Sequence, residues 1–138
     1  MEPDAHVEGA DYVCVSFDAL HPKEEQLQGL HVVVNLVGIK MDTGRQSFED
    51  AHVKAVTALT EAALRARVFR FVHISVAGAR RDEDSQYLST KAAGEDAVRA
   101  SRLAEFATII RPGVVYGDGD DVITNLASRS RTARPGLR

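Results

Sequence analysis

Short apolar runs alternate with longer amphipathic stretches along most of this 138-residue chain. The runs at 12–17, 31–37, 68–74 and 106–110 are rich in β-branched and aromatic residues, which predicts four strands. The run at 31–37 is almost continuously apolar, as expected for a strand that is covered on both faces. This alternation is typical of a parallel sheet with crossover helices.

Three helices are predicted between these strands. The first begins at Pro22 and stops at Gly29, following the preference for proline at helix starts and glycine at helix ends. The second begins after Ser47, where Asp50 three residues on resembles a capping box, and the third covers 87–102. The order β-α-β-α-β-α-β predicts an α/β fold with right-handed crossovers and an open parallel sheet.

With 44% hydrophobic and 27% charged residues, the chain has an ordinary globular composition and is long enough for one domain, which we assign to 1–127. No apolar run approaches the roughly 20 residues that span a bilayer. The net charge of −3 favours neither nucleic acid nor an anionic membrane as partner. The single cysteine, Cys14, indicates a buried residue in a reducing compartment, so we expect a cytoplasmic protein.

Two further polar features point away from binding sites. Residues 128–138 carry four arginines and no acid, which predicts a basic, flexible tail in preference to a nucleic-acid contact. The five histidines show no ligand spacing, so we predict no metal site.

Tyr87 and Lys91 lie four residues apart on the third predicted helix, so they share one face and are one turn apart. An ammonium beside a phenol favours the phenolate, which suits Tyr87 to exchange protons near neutral pH. Because this spacing is common on helices, its meaning depends on the residues around it.

Other candidate residues follow the ends of predicted strands, where reactive groups gather in an open α/β sheet. The hydroxyl of Ser75 can donate to a substrate carbonyl while Tyr87 moves a proton; the alternative is a cap or turn. Gly38 admits close approach of a ligand, and Asn35 either ties two strands together or belongs to the site. The segment 111–117 is a turn whose backbone amides face a ligand, or a plain loop.

These features resemble, in order, the motifs of the short-chain dehydrogenase/reductase superfamily: Asn35-Leu36-Val37-Gly38, Ser75, Tyr87-x-x-x-Lys91 and Arg111-Pro112-Gly113. The stretches 73–75, 91–95 and 115–117 are similar to its extended and atypical branches, the epimerase/dehydratase and NmrA-like proteins. Within these branches, 35–39 and 48–53 most resemble the dehydrogenase-like accessory subunit of respiratory complex I and its bacterial relatives. The resemblance covers about 10–127 and implies a Rossmann-like fold.

The resemblance also implies roles for individual residues. Tyr87 would be the general acid/base, Lys91 would bind the nicotinamide ribose of NAD or NADP, and Ser75 would orient the substrate. Contacts with the cofactor would come from Asp18, Asn35, Gly38, Lys91, Pro112, Gly113 and Val115. Of these, Asp18 matches the family acid that contacts adenine.

The chain departs from the family pattern at its start. The family places Gly-x-x-Gly-x-x-Gly after the first strand, where backbone N–H groups reach the pyrophosphate, but only Gly9 precedes Gly29 here. We therefore expect a truncated domain without the first βαβ unit, with impaired binding of NAD or NADP. Exposed sheet edges would also make it marginally stable or prone to aggregation.

Two functions follow from these expectations, with a third possibility of an inactive fragment. The first is an NAD(P)-binding oxidoreductase or epimerase/dehydratase-like protein that transfers hydride and a proton at a small-molecule carbinol or carbonyl. The alternative is a non-catalytic accessory or assembly subunit of a respiratory-type complex. Association with a larger complex or a homo-oligomer is therefore expected.

Overall fold

A three-stranded parallel sheet organises residues 19–117, the part of the chain that the computed structural model describes. The strands are β1 (Val32–Asn35), β2 (Arg70–Ile74) and β3 (Ala107–Ile110), and they pair in that order. The predicted α/β architecture with an open parallel sheet is confirmed. The predicted strand at 12–17, Asp18 and the basic tail at 128–138 lie outside the described residues.

Two helices cross between the strands: α1 (Ala55–Arg65) joins β1 to β2, and α2 (Gln86–Ala100) joins β2 to β3. The polar starts of both helical segments are capped by serine. Asp50 N–H donates to Oγ of Ser47 at 3.0 Å, and Leu88 N–H donates to Oγ of Ser85 at 3.3 Å. These caps satisfy N–H groups that have no partner inside a helix.

Two predicted elements have different forms in the structure. The helix expected after Pro22 is reduced to a single 3₁₀ turn at Glu24–Gln26, and Gly29 then adopts a positive φ of 79°. The second helical segment begins with a π-helical turn at Asp50–Lys54 before α1 starts. Such turns are rare and occur often at functional sites.

Both helices pack on one face of the sheet. Phe71 of β2 is fully buried and shares a core with Val56 of α1 and Val98 of α2. No described element covers the other face of β1, where Val32 and Val34 are 49% and 52% exposed. The expectation of a strand covered on both faces is therefore wrong for β1 within the described residues, since α1 and α2 lie on the same side.

Gly94 allows α2 to approach the π-helical turn very closely. A Cβ at this position would lie 2.2 Å from the carbonyl oxygen of His52, a separation that no side chain tolerates. Glycine is therefore the residue that sets the distance between these two elements, and this distance places the first turn of α2 at the edge of the sheet.

Candidate active site

The carboxyl ends of the three strands meet at one edge of the sheet, beside an open cleft of about 610 Å³. Five residues predicted from the sequence line this cleft: Ser75, Tyr87, Pro112, Gly113 and Val115. Its remaining walls come from Lys40, Val76, Ala77 and Val114. A volume of this size suits a small molecule or part of a cofactor. A second groove, of about 520 Å³, follows the uncovered face of β1 and contains no charged residue.

Tyr87 lies in the first turn of α2 and is half-buried. Its ring contacts the ring of His52 edge-on, with 5.5 Å between centroids, and the ring of Phe48 at 5.8 Å. Edge-to-face aromatic contacts of this kind are favourable and directional. They hold the tyrosine ring at the wall of the cleft.

Lys91 is buried behind Tyr87, one turn further along α2, with 5% of its surface exposed. Its Nζ donates to the carbonyl oxygen of Ile74 at 2.8 Å. Burial lowers the pKa of Lys91, and the nearby Glu95 carboxylate opposes that change. An ammonium carries three donors, so one bond to Ile74 leaves donors for a ligand. A Cβ on Gly38 would lie 3.9 Å from Nζ, so these two predicted residues are neighbours.

Glu95 is a fully buried carboxylate that sequence reasoning did not assign to the site. Its Oε1 accepts from Ser75 Oγ at 2.5 Å and from Arg111 Nε at 2.7 Å. Its Oε2 accepts from Nη2 of Arg111 at 2.5 Å and from Nη2 of Arg99 at 2.7 Å. Burial by itself raises the pKa of Glu95, but the hydrogen bonds from Arg111, Ser75 and Arg99 outweigh it and lower the pKa to about 2. The carboxylate is therefore ionised at any physiological pH.

Asn35 and His73 form a polar pair between β1 and β2, and each is 1% exposed. The two side chains are 3.1 Å apart between Nδ2 of Asn35 and Nδ1 of His73, while Val37 N–H donates to Oδ1 of Asn35 at 3.0 Å. Because Asn35 Nδ2 is a donor, Nδ1 of His73 accepts and Nε2 carries the proton. Asn35 thus ties two strands together, which is one of the two readings that the sequence left open.

His52 is a second buried residue that sequence reasoning missed. It is 1% exposed, and its Nδ1 lies 3.0 Å from Oγ1 of Thr90, while Ile39 N–H lies 3.2 Å from Nε2. Thr90 donates its own hydroxyl proton to Gln86 O at 2.8 Å, so Nδ1 of His52 is assigned as the donor to Thr90. Burial and the charge of Lys91 lower the pKa of His52 to about 4, and the ring is therefore neutral at pH 7.

Sequence signals exist for two residues that sequence reasoning did not assign to the site, Glu95 and Lys40. Glu95 follows Tyr87 and Lys91 at a spacing of four, so the three residues share one helix face. Lys40, which adds a positive charge to the cleft, comes two residues after Gly38 at a strand end. His52 had no comparable signal, because its burial depends on the π-helical turn.

No helix within 19–117 is long and apolar enough to cross a membrane.

A family model and a solved structure each match most of this chain. The family model described as "NAD dependent epimerase/dehydratase family" matches residues 15–135. The crystal structure of UDP-glucuronic acid 4-epimerase from Bacillus cereus in complex with NAD superposes with a TM-score of 0.61 and 26% identity. That superposition covers 72% of this chain and 38% of the epimerase chain.

Two curated relatives differ in the roles that their names describe. The mitochondrial NADH-ubiquinone oxidoreductase 40 kDa subunit of Neurospora crassa is 34% identical over 118 residues, which are 84% of this chain and 31% of that protein. Ceramide reductase of Caulobacter vibrioides is 36% identical over 106 residues, 75% of this chain and 32% of the reductase. The chain thus spans about a third of the length of these relatives.

Proposed function

The chain belongs to the NAD dependent epimerase/dehydratase family, and from that premise we propose that its cleft receives the nicotinamide end of NAD or NADP. The observation that carries this proposal is the placement of Tyr87 in the cleft wall with the buried Lys91 one helical turn behind it. When bound, the cofactor supplies or accepts a hydride at a small-molecule carbinol or carbonyl. The protein supplies the proton transfer and the orientation of both partners.

The residues present fit the ribose and nicotinamide part of such a cofactor. The N–H donors of Lys91 that Ile74 does not engage suit ribose hydroxyls, and Gly38 beside Nζ leaves room for a ligand. Pro112, Gly113 and Val115 also line the cleft. No Cβ at Gly113 would meet an atom within 4 Å, so the backbone there is open to a flat ring.

Tyr87 is the proposed proton donor and acceptor. Tyr87 lines the cleft, whereas Lys91 is 5% exposed and is not among its lining residues, so we expect a substrate oxygen to meet the Tyr87 hydroxyl. The neutral His52 ring packs edge-on against Tyr87 and orients it without adding charge. A positioned acid or base of this kind contributes about 10²–10⁴-fold to a rate.

The identity of the cofactor and reaction rests on the relatives. The superposed epimerase structure is a complex with NAD, and one relative of more than 30% identity is a ceramide reductase. These support NAD and hydride transfer in this chain. We propose weak binding for the 138 residues taken by themselves, because they contain no glycine-rich phosphate loop before β1. The cytoplasmic location stays a prediction, since one relative is mitochondrial.

A second function is favoured by a different observation. The relative of 34% identity is a subunit of NADH-ubiquinone oxidoreductase, so this chain is alternatively proposed as a non-catalytic accessory or assembly subunit of a respiratory-type complex. This alternative predicts that tagged protein from its own cells migrates with a large assembly on native gels. Migration of all the protein as a free chain contradicts it.

Saturation-transfer NMR with NADH tests the first proposal, because it detects weak binding and reports which part of the ligand touches the protein. We expect saturation at the nicotinamide and its ribose. The Lys91→Met variant is expected to lose at least about tenfold in affinity, whereas the matched control Lys54→Met, which removes a lysine 63% exposed, leaves it unchanged. Equal saturation in wild type and Lys91→Met would overturn the proposed site.

A further inference from the structure

Four segments line the cleft, and Glu95 connects three of them, all except the segment of Lys40. It lies on α2, which carries Tyr87; it accepts from Ser75 at the end of β2; and it accepts twice from Arg111 at the end of β3. Within residues 19–117, side-chain hydrogen bonds between α2 and the segment after β3 run from Arg111 to Glu95. A single carboxylate therefore connects the tyrosine wall to the wall formed by 112–115.

We propose that Glu95 is a positioning residue that holds the 112–115 wall at a fixed distance from Tyr87, and that Ser75 anchors this carboxylate instead of contacting the substrate. The proposal rests on the proposed function for the identity of the ligand in the cleft. Its structural part, the docking of 112–115, stands independently.

The geometry of Arg111 explains why a carboxylate is required. Its planar guanidinium gives Nε to one oxygen of Glu95 and Nη2 to the other, so the fork fixes the orientation of the arginine as well as its distance. The Arg111 side chain is 46% exposed, so its position is fixed by the two hydrogen bonds to Glu95 and not by burial. A glutamine would offer one acceptor oxygen and would turn an NH₂ group toward donors.

Ser75 fits the role of an anchor because its one hydroxyl proton is directed into the protein. Its Oγ–H donates to Glu95, and the residue is 5% exposed. Toward the cleft it offers only lone pairs. This assignment differs from the role in orienting the substrate that the family resemblance implies.

Backbone amides provide a local reporter of the docked wall. Ala77 N–H donates to the carbonyl oxygen of Pro112 at 2.7 Å, directly joining the segment after β2 to the segment after β3. If Glu95 releases Arg111, this bond opens more often and the Ala77 amide exchanges faster. Amides in the centre of β2, which is paired on both sides, serve as the reference for global unfolding.

The experiment measures amide exchange by NMR together with NADH saturation transfer in Glu95→Gln, Arg111→Gln and Arg99→Gln. Arg99 is the matched control, since it bonds the same carboxylate from within α2 and joins no second segment. We expect Ala77 exchange to rise about tenfold or more in the first two variants, with a parallel loss of the nicotinamide signal. Arg99→Gln should change either readout by less than about threefold.

The outcomes separate the two proposals. Exchange at Ala77 that stays at the wild-type rate, or that rises by the same factor as the centre of β2, overturns the positioning role. If Glu95→Gln does not fold, Arg111→Gln decides alone, because it leaves the carboxylate bonded to Ser75 and Arg99. If the wild type gives no NADH signal, the proposed function fails while the exchange data still test Glu95.

A double variant tests the role of Ser75. Ser75→Ala placed in a Glu95→Leu background should add no further loss of NADH affinity, because leucine already removes the acceptor of the Ser75 hydroxyl. A further loss of NADH affinity would indicate that Ser75 contacts the ligand directly.

Discussion

The hydroxyl of Ser75 donates a 2.5 Å hydrogen bond to Glu95, twenty residues further along the chain. The acceptor is a buried carboxylate, and its hydrogen bonds with Arg111, Ser75 and Arg99 keep its pKa near 2 despite burial. The serine proton is therefore engaged at every physiological pH. The Ser75 hydroxyl therefore has no proton to donate to a substrate carbonyl, which agrees with its proposed role as an anchor for Glu95.

Replacing Gly94 by alanine is expected to lower the free energy of unfolding by about 2 kcal/mol. Helix propensity alone predicts the opposite, a gain of about 0.5–1 kcal/mol. The steric term decides, because the new Cβ would lie 2.2 Å from the backbone oxygen of His52 and backbone moves less readily than a side chain. Urea denaturation at pH 7 measures the change.

Gly113→Ala is the matched control, since no atom lies within 4 Å of its added Cβ. We expect its unfolding free energy to stay within about 0.5 kcal/mol of wild type. A Gly94→Ala protein as stable as wild type would show that α2 is not held against the π-helical turn.

Most of the fold was predictable because its signals are local. The predicted strand 68–74 and helix 87–102 match Arg70–Ile74 and Gln86–Ala100 within two residues at each end. Strands of a parallel sheet are recognised in the sequence as short runs of β-branched residues, and helix starts are recognised by capping serines. The helix expected after Pro22 failed because a favourable start and stop do not supply the length that a stable helix needs.

The residues that line the cleft were largely predictable from the sequence, but their hydrogen bonds were not. Tyr87 and the 112–115 wall follow from motif order, whereas the partners of Glu95 come from sixteen and twenty residues away. An acid on a helix is normally read as solvated, and only the tertiary arrangement shows this one at 0% exposure. The sequence likewise placed Lys91 beside Tyr87, but the carbonyl of Ile74 is its bonded partner.

Tyr87→Phe is expected to leave the fold and NADH contact intact while lowering turnover by at least about 10²-fold. The ring keeps its contacts with His52 and Phe48, so only the hydroxyl is lost. Oxidation of NADH in the presence of a reducible carbonyl substrate, followed by absorbance, measures the effect. Tyr116→Phe, at a position 76% exposed, serves as the control. Undiminished turnover in Tyr87→Phe would remove this residue from the proposed mechanism.

The uncovered face of β1 predicts association of the chain with itself at high concentration. Leu30, Val32, Val34 and Leu36 are 45–73% exposed, and β1 is an edge of the sheet formed by the described strands. Exposed apolar edges invite pairing with another chain. We expect Val34→Lys to raise the monomer fraction in light scattering after size exclusion. Met41→Lys, also exposed but outside the strands, should not; equal effects would place the association elsewhere.

Acid is expected to destabilise the fold in two stages, the first caused by buried histidines. Burial, with the charge of Lys91, lowers the pKa of both His52 and His73 from 6.5 to about 4. Between those values only the unfolded chain binds the protons, so the unfolding free energy falls as pH falls, by roughly 1 kcal/mol per pH unit for each histidine. Below about pH 4.5, protonation of Glu95 in the unfolded chain adds a second loss of stability, which continues to about pH 2.

Urea denaturation at pH 7, 5.5 and 4.5 measures the change of the unfolding free energy with pH. This slope should be shallower for His73→Gln than for the exposed control His31→Gln. Identical slopes would show that His73 does not stay neutral in the folded protein.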